Sequence, residues 1–287
     1  MPNVDKFGCQ LNHRFIEIEL NDVNSFDGWL KIKFIGNGVG VLIPFRRHKQ
    51  FNKLLSKGKL LNGARLHDNC IELSFESPDE ENHGNKTIGI DIGQCSILSI
   101  SDGQQITIDK HGHSYRSICE RLARKKKGSK SFQRTVKHRT NFIRWSLNQL
   151  DLNGIKEIKI EKLKNVYKGR RISRVMSHWN YRELRTLLIS YFKERDVLIS
   201  EVSPGYTSQC CSKCGRVRKS NRKGRLFKCD HCGNIMDADL NASLNIALNR
   251  KPLNMAKIRS ERLSVKGFFW NPDGSISLSK EHIVPCT

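Results

Sequence analysis

Short apolar stretches dominate the first part of the chain, and longer amphipathic ones follow. Up to residue 82, "RFIEIEL", "GWLKIKFIG", "GVGVLIPF" and "NCIELSFES" are β-branched or aromatic and partly alternating, with Gly and Asn between them. This pattern predicts strands, with "RRHKQFNKLLSKG" adding one helix or a loop. A small barrel or sandwich is expected, of oligonucleotide-binding type. The polar, acidic run "SPDEENHGNK" (77–86) reads as a linker.

Beyond it the pattern changes. "KTIGIDIGQ", "CSILSISDG" and "QQITIDK" predict three consecutive strands with tight joints. Residues 114–150 read as helix in two pieces broken near Gly128, the second with Phe132, Val136, Ile143, Leu147 and Leu150 at helical spacing. "IKEIKIEKL" (155–163) returns to strand. "NYRELRTLLISYFKER" predicts a helix capped by Asn180 and Glu183, with Leu184, Leu187, Leu188 and Tyr191 as its stripe. "DVLISEVSP" is another strand, and a last helix is expected from about 237 to 250. The order is three strands, helix, strand, helix, strand, insert, helix. It predicts an α/β layered fold with a mixed sheet. The tail past Lys251 is weakly patterned, and its end is expected to be a small hairpin or disordered.

Charge narrows the class of partner. Lys plus Arg number 51 against 28 Asp plus Glu, a net +23, and such a chain usually meets a polyanion. The charge is clustered. Residues 115–145 carry eleven Lys or Arg and one acid, and residues 211–228 carry eight and no acid. "YKGRRISR" (167–174) forms a third cluster. Arg124, Lys125, Lys126, Lys127, Arg170, Arg171, Arg216, Arg218, Arg222 and Lys223 are the expected phosphate contacts, giving salt-sensitive, sequence-independent affinity. Tyr167, Phe227 and Trp179 are candidates for base stacking, with core packing the competing role for Trp179. No run of 18 apolar residues occurs, and the N-terminus lacks a signal-peptide pattern, so an intracellular, cytoplasmic protein is expected.

Four of the ten cysteines form two pairs, Cys211-x2-Cys214 and Cys229-x2-Cys232, separated by fourteen residues. That spacing predicts one structural zinc held by four thiolates. Cys210 stands beside Cys211 and could take its place; the two-residue spacing to Cys214 favours Cys211.

Three acids stand where chemistry would need them. Asp91 lies inside the apolar "IGIDIG", and a charge is rarely buried unpaired. Glu161 closes the apolar "IKIEKL". Asp239 opens the last helix, where an acid is also favoured by the helix dipole, and Asp237 suits its cap. If the two strands are neighbours, Asp91 and Glu161 share one end of the sheet and a crossing helix delivers Asp239. Crowded carboxylates raise one another's pKa, and a divalent cation relieves the repulsion. Two Mg²⁺ ions about 3.5–4 Å apart would clamp the attacking and leaving oxygens of phosphodiester hydrolysis.

"GIDIG", "IEKL", "TSQCCSKCG", "FKCDHCG" and "DADLNASLNIA" together resemble the RuvC-type, RNase H-like nuclease of the transposon-encoded TnpB family, which is similar to the compact type V CRISPR effectors. The resemblance covers about residues 87–250. It implies Asp91, Glu161 and Asp239 as catalytic acids, no assured catalytic part for Asp237, and a zinc ribbon inserted in the nuclease domain to help guide a strand into the site. The implied organisation is a β-rich wedge domain at 1–82, a RuvC-like domain at 83–204 and 236–250, a ribbon at 205–235 and a tail at 251–287. One departure stands out: relatives carry a helical recognition lobe near the N-terminus, and this sequence has no such stretch. That fits a minimal form whose RNA takes over the contacts, or a truncated product.

The resemblance implies an RNA-guided DNA endonuclease, with guide RNA and target DNA as partners, nucleoid association on DNA, and a homodimer as a further option. A guided repressor that binds without cutting and an unguided structure-selective nuclease are the alternatives. Retention of all three acids argues against the first and the ribbon against the second.

Overall fold

The computed structural model describes residues 9–21, 25–33, 40–67, 70–76, 84–163 and 172–278. Two units are distinct, 1–80 and 81–287.

In the first unit, alternation of apolar and polar residues builds β1 (Cys9–Asn12), β2 (Ile16–Leu20), β3 (Gly28–Lys33), β4 (Gly40–Phe45), helix α1 (Lys49–Lys57), β5 (Lys59–Leu66) and β6 (Ile71–Glu76). The strands form two antiparallel three-stranded sheets, β1-β5-β6 and β2-β3-β4. Ile16, Leu30, Ile32 and Ala64, drawn from both sheets, make one small core. His48 caps α1 by accepting from the Phe51 N–H, and Phe51 is the buried residue of that helix. β1 and β5 lie outside the four predicted strands. In β5, "KLLNGARL", Asn62 and Gly63 interrupt the run, and both residues weaken a strand signal.

The second unit contains β7 (Lys86–Asp91), β8 (Leu98–Ile100), β9 (Gln105–Ile106), α2 (Tyr115–Ala123), α3 (Lys130–Asn148), β10 (Ile155–Glu161), α4 (Tyr181–Lys193) and β11 (Leu198–Val202). The strands form one sheet in the order β11-β10-β7-β8-β9. β7, β10 and β11 run parallel, while β8 is antiparallel to β7 and β9 to β8.

Period-two alternation assigns the two faces of the central strands. Ile88, Ile90, Ile158 and Ile160 join a core with Ile118 of α2, Phe142 and Ile143 of α3, and Leu184, Leu188 and Phe192 of α4. Arg139 and Glu183, 2.6 Å apart, tie α3 to α4 within that layer. The other face is covered by α5 (Ala238–Leu248).

Between β11 and α5 the chain forms β12 (Arg216–Val217), β13 (Arg222–Lys223), β14 (Leu226–Lys228) and β15 (Ile235–Asp237). After α5 come α6 (Met255–Ser260), α7 (Leu263–Lys266), β16 (Phe268–Trp270) and β17 (Ile276–Ser277). The tail is therefore more ordered than its weak patterning predicts. β16 pairs with β12 of the insert. Leu253, Ile258, Leu263, Phe268 and Trp270 share a core with Cys210 and Val217. Residues 279–287, the end of the expected hairpin, lie outside the described residues. Among the described residues no helix is long and apolar enough to cross a membrane.

Candidate active site

β7 and β10 are parallel neighbours with Ile90 opposite Ile160. The next residue of each strand is an acid, so Asp91 and Glu161 stand side by side at the carboxyl ends. Gly89 lies two residues before Asp91 and on the same face. A Cβ there would come within 2.2 Å of the Ser243 carbonyl and 2.4 Å of the Ala247 nitrogen. Glycine therefore lets the α5 backbone rest directly on β7. On the same face of β10, Lys159 donates to the Ala247 carbonyl at 3.1 Å. The seated helix carries Asp239 in its first turn, 6% exposed.

Each acid has its own surroundings. Burial, then the charges of Glu161 and Asp239, push the Asp91 carboxyl from 3.8 up to about 8, against the pull of Arg222 and the Ile92 N–H. Burial also raises Glu161, opposed by a hydrogen bond donated by Thr207 and by Arg222. The Tyr181 hydroxyl donates to the Glu161 carbonyl at 3.0 Å and holds that strand end. Asp239 accepts from Arg222 at 2.8 Å. Arg222 belongs to β13 of the insert, so the insert supplies a cation to a pocket of acids. Its side chain, expected from the sequence to contact phosphate, faces this pocket and pairs with Asp239. A divalent cation is the chemical complement of such an acid set.

Asp237 is the N-cap of α5: its Oδ1 accepts from the Asp239 N–H at 2.9 Å and the Leu240 N–H at 3.2 Å. Gln105 of β9 donates to the same oxygen at 3.0 Å, and Arg225 pairs with the other at 3.3 Å.

Cys211, Cys214, Cys229 and Cys232 bring their sulfurs within 4.8 Å of one another. Cys211 to Cys232 and Cys214 to Cys229 are both 3.6 Å. A tetrahedron with metal–sulfur bonds of about 2.3 Å has edges of about 3.8 Å, so the cluster is compatible with zinc. A hydrogen bond from Cys214 holds the Cys211 thiol down, and the same contact pushes Cys214 up. A bound cation would relieve the repulsion among four thiolates held this close. Cys210 is buried outside this cluster, its thiol pushed up to about 12 by burial.

Asn241 and Asn245, one helical turn apart and buried, join the insert to α5. Asn241 donates to the Cys210 carbonyl at 2.7 Å and accepts from the Ser212 N–H at 3.0 Å. Asn245 donates to the Thr207 carbonyl at 2.9 Å and the Cys210 carbonyl at 2.7 Å. Two asparagines at helical spacing inside an apolar run are the signal by which sequence reasoning could have found this clamp.

The basic residues divide. Arg124, Lys126, Lys127 and Lys223 are exposed. Lys125 is turned inward to Thr135 at 2.5 Å. Arg216 and Arg218 pair with Asp230, and Arg216 lies over the Phe269 ring. Each of these three side chains, expected from the sequence to contact phosphate, also has a partner within the protein. Phe227 is fully buried and Trp179 is 7% exposed in the core, so neither is placed to stack on a base. Arg170, Arg171 and Tyr167 lie outside the described residues.

The site is thus a mixed five-stranded sheet with acids closing β7 and β10, a third acid on the helix across them, and a four-cysteine insert just before that helix. Residues 181–246 match the family model for the Cas12f1-like TNB domain. The CRISPR-associated endodeoxyribonuclease Cas12f1 of Sulfoacidibacillus thermotolerans is 35% identical over 135 residues, 46% of this chain and 30% of that protein. A candidate RNA-guided DNA endonuclease of Streptomyces pristinaespiralis is 30% identical over 183 residues, 55% of this chain and 44% of that protein. A TnpB-like protein of Aquifex aeolicus is 35% identical over 96 residues, 31% of each chain. Over these stretches the chain is similar to TnpB-like and CRISPR-associated Cas12f1 proteins, and it spans less than half the length of each of these three proteins.

Proposed function

We propose that this chain is an RNA-guided DNA endonuclease that hydrolyses phosphodiester bonds at Asp91, Glu161 and Asp239. The observation that carries the reading is the parallel register of β7 and β10, which sets Asp91 beside Glu161 under the helix bearing Asp239. Mg²⁺, two ions in the full site, would polarise the scissile phosphate and activate the attacking water. Asp91 must give up its proton to serve as a ligand, and Arg222 offsets part of the acid repulsion until then. Cys211, Cys214, Cys229 and Cys232 would hold one structural zinc, which keeps the insert folded and Arg222 in place.

Guide RNA and target DNA are the proposed partners. Support comes from the net charge of +23, the exposed Arg124, Lys126, Lys127 and Lys223, and the descriptions of the relatives. The protein would hold the guide–target duplex by shape and backbone charge. The N-terminal β unit would serve as a wedge against nucleic acid.

The test is to purify the chain expressed from its native locus, extract bound RNA, and incubate the complex with matching DNA and Mg²⁺. A discrete RNA and Mg²⁺-dependent cutting, lost with Asp91→Asn, are expected. Guided binding without cutting would identify a repressor. Cutting with no bound RNA would identify an unguided nuclease.

A further inference from the structure

A second group of potential metal ligands lies away from both the acids and the cysteines. The segment "DKHGHS" between β9 and α2 folds back on itself: Ile108 bridges Ser114, and the Asp109 N–H donates to the His113 carbonyl at 2.9 Å. Gly112, with φ +74°, allows the turn. The Asp109 Oδ1 accepts from the His111 and His113 N–H groups at 2.8 and 2.9 Å, which fixes the carboxylate. Its Oδ2 faces the His113 ring at 3.2 Å. His138 comes from α3, its ring 5.0 Å from that of His113 and at 81° to it. One ligand atom from each of Asp109, His113 and His138 lies within 4.8 Å of the others.

We propose that Asp109, His113 and His138 form a further metal site, for a late first-row divalent ion such as Zn²⁺ or Co²⁺. Two imidazoles and one carboxylate suit these ions, whereas Mg²⁺ prefers oxygen alone. Bond lengths of about 2.0–2.2 Å require the donors to close to roughly 3.3 Å of one another. His113, with 36% of its side chain exposed, has room to make that move. The carboxylate is already held in place by the turn, which is how outer hydrogen bonds commonly orient a ligand. His111, 6.2 Å from His113 between ring centroids, is the nearest candidate for a fourth ligand.

One group competes with the ion. Arg121 donates to Nδ1 of His138 at 3.0 Å, so this nitrogen presents a lone pair that the guanidinium now occupies. The ion would displace Arg121, and removing Arg121 is therefore expected to tighten binding. Occupancy would tie the turn before α2 to α3. The site is independent of the proposed nuclease function.

The experiment uses the untagged full chain, zinc-loaded at the cysteines and carrying Asp91→Asn and Glu161→Gln to silence the acid site. It is dialysed to equilibrium against Co²⁺, and cobalt and zinc per chain are counted. One cobalt beyond the zinc is expected. His138→Gln and Asp109→Asn each lose it while keeping zinc and an unchanged circular dichroism spectrum, and Arg121→Gln fills at lower free Co²⁺. No uptake in the parent, or equal uptake in parent and both variants, overturns the proposal. If both variants unfold, the parent decides: Co²⁺ broadening of the His113 and His138 ring resonances supports the site, and unbroadened resonances overturn it.

Discussion

Replacing Asp91 by Asn should stabilise the protein when Mg²⁺ is absent. The fold raises this carboxyl from 3.8 to about 8, chiefly by burial and then by Glu161 and Asp239. In the unfolded chain it ionises near its ordinary value. Between the two values the folded state holds a proton that the unfolded state has released, so stability falls as pH rises from about 4 to about 8 and stays low above that. A pKa unit is worth about 1.4 kcal/mol, so the cost is on the order of 4 kcal/mol by pH 7. Asn carries no such cost. The advantage of Asp91→Asn over the parent should grow by roughly 1 kcal/mol per pH unit from pH 6 to about 8, then level off. In a unit of this size that is several degrees in Tm. The assay is thermal melting of zinc-loaded protein at pH 6, 7, 8 and 9 without chelator, since chelation would also strip the cysteines. Added Mg²⁺ should recover the parent's stability and leave the variant unmoved. A difference that does not vary with pH, or a parent more stable than the variant in the absence of Mg²⁺, would refute the crowded-acid account.

The remaining predictions concern placement. Cys214→Ser and Cys232→Ser should each lose zinc by elemental analysis and lower Tm, whereas Cys210→Ser should keep the zinc; full zinc content in the first two would sink the four-cysteine assignment. Gly89→Ala should lift α5 from β7, at a cost of about 1–3 kcal/mol or more, and slow Mg²⁺-dependent cutting. Normal cutting and melting would show that the helix does not need that close approach. Asp237→Asn should cost on the order of 1 kcal/mol or less in a denaturant melt and leave cutting measurable, while Asp239→Asn abolishes cutting. The reverse pattern would mean that the wrong aspartate of "DADLN" was assigned to the site.

Several features are legible in the sequence because they are local. Ile88, Ile90, Ile158 and Ile160 announce buried strands by composition, and an acid at the end of each is conspicuous because burial disfavours charge. The two knuckles show themselves by spacing, and Asp237 shows itself as a cap by its position before an apolar helix. Other features depend on partners distant in the chain. Nothing in "IGID" or "IKIE" states that Ile90 pairs with Ile160, yet this register decides that Asp91 and Glu161 are neighbours. Gly89 acquires its purpose only when the Ser243 and Ala247 backbone lies on it. Arg222 reads as one cation among eight in its segment, and only the fold of the insert turns it to Asp239. The tail looks weakly patterned because part of its core, Cys210 and Val217, is supplied by the insert. Local periodicity records which side of an element is buried. The choice of what buries it is made by long-range packing and chain closure, and those determine where the acids, the cysteines and Arg222 finally stand.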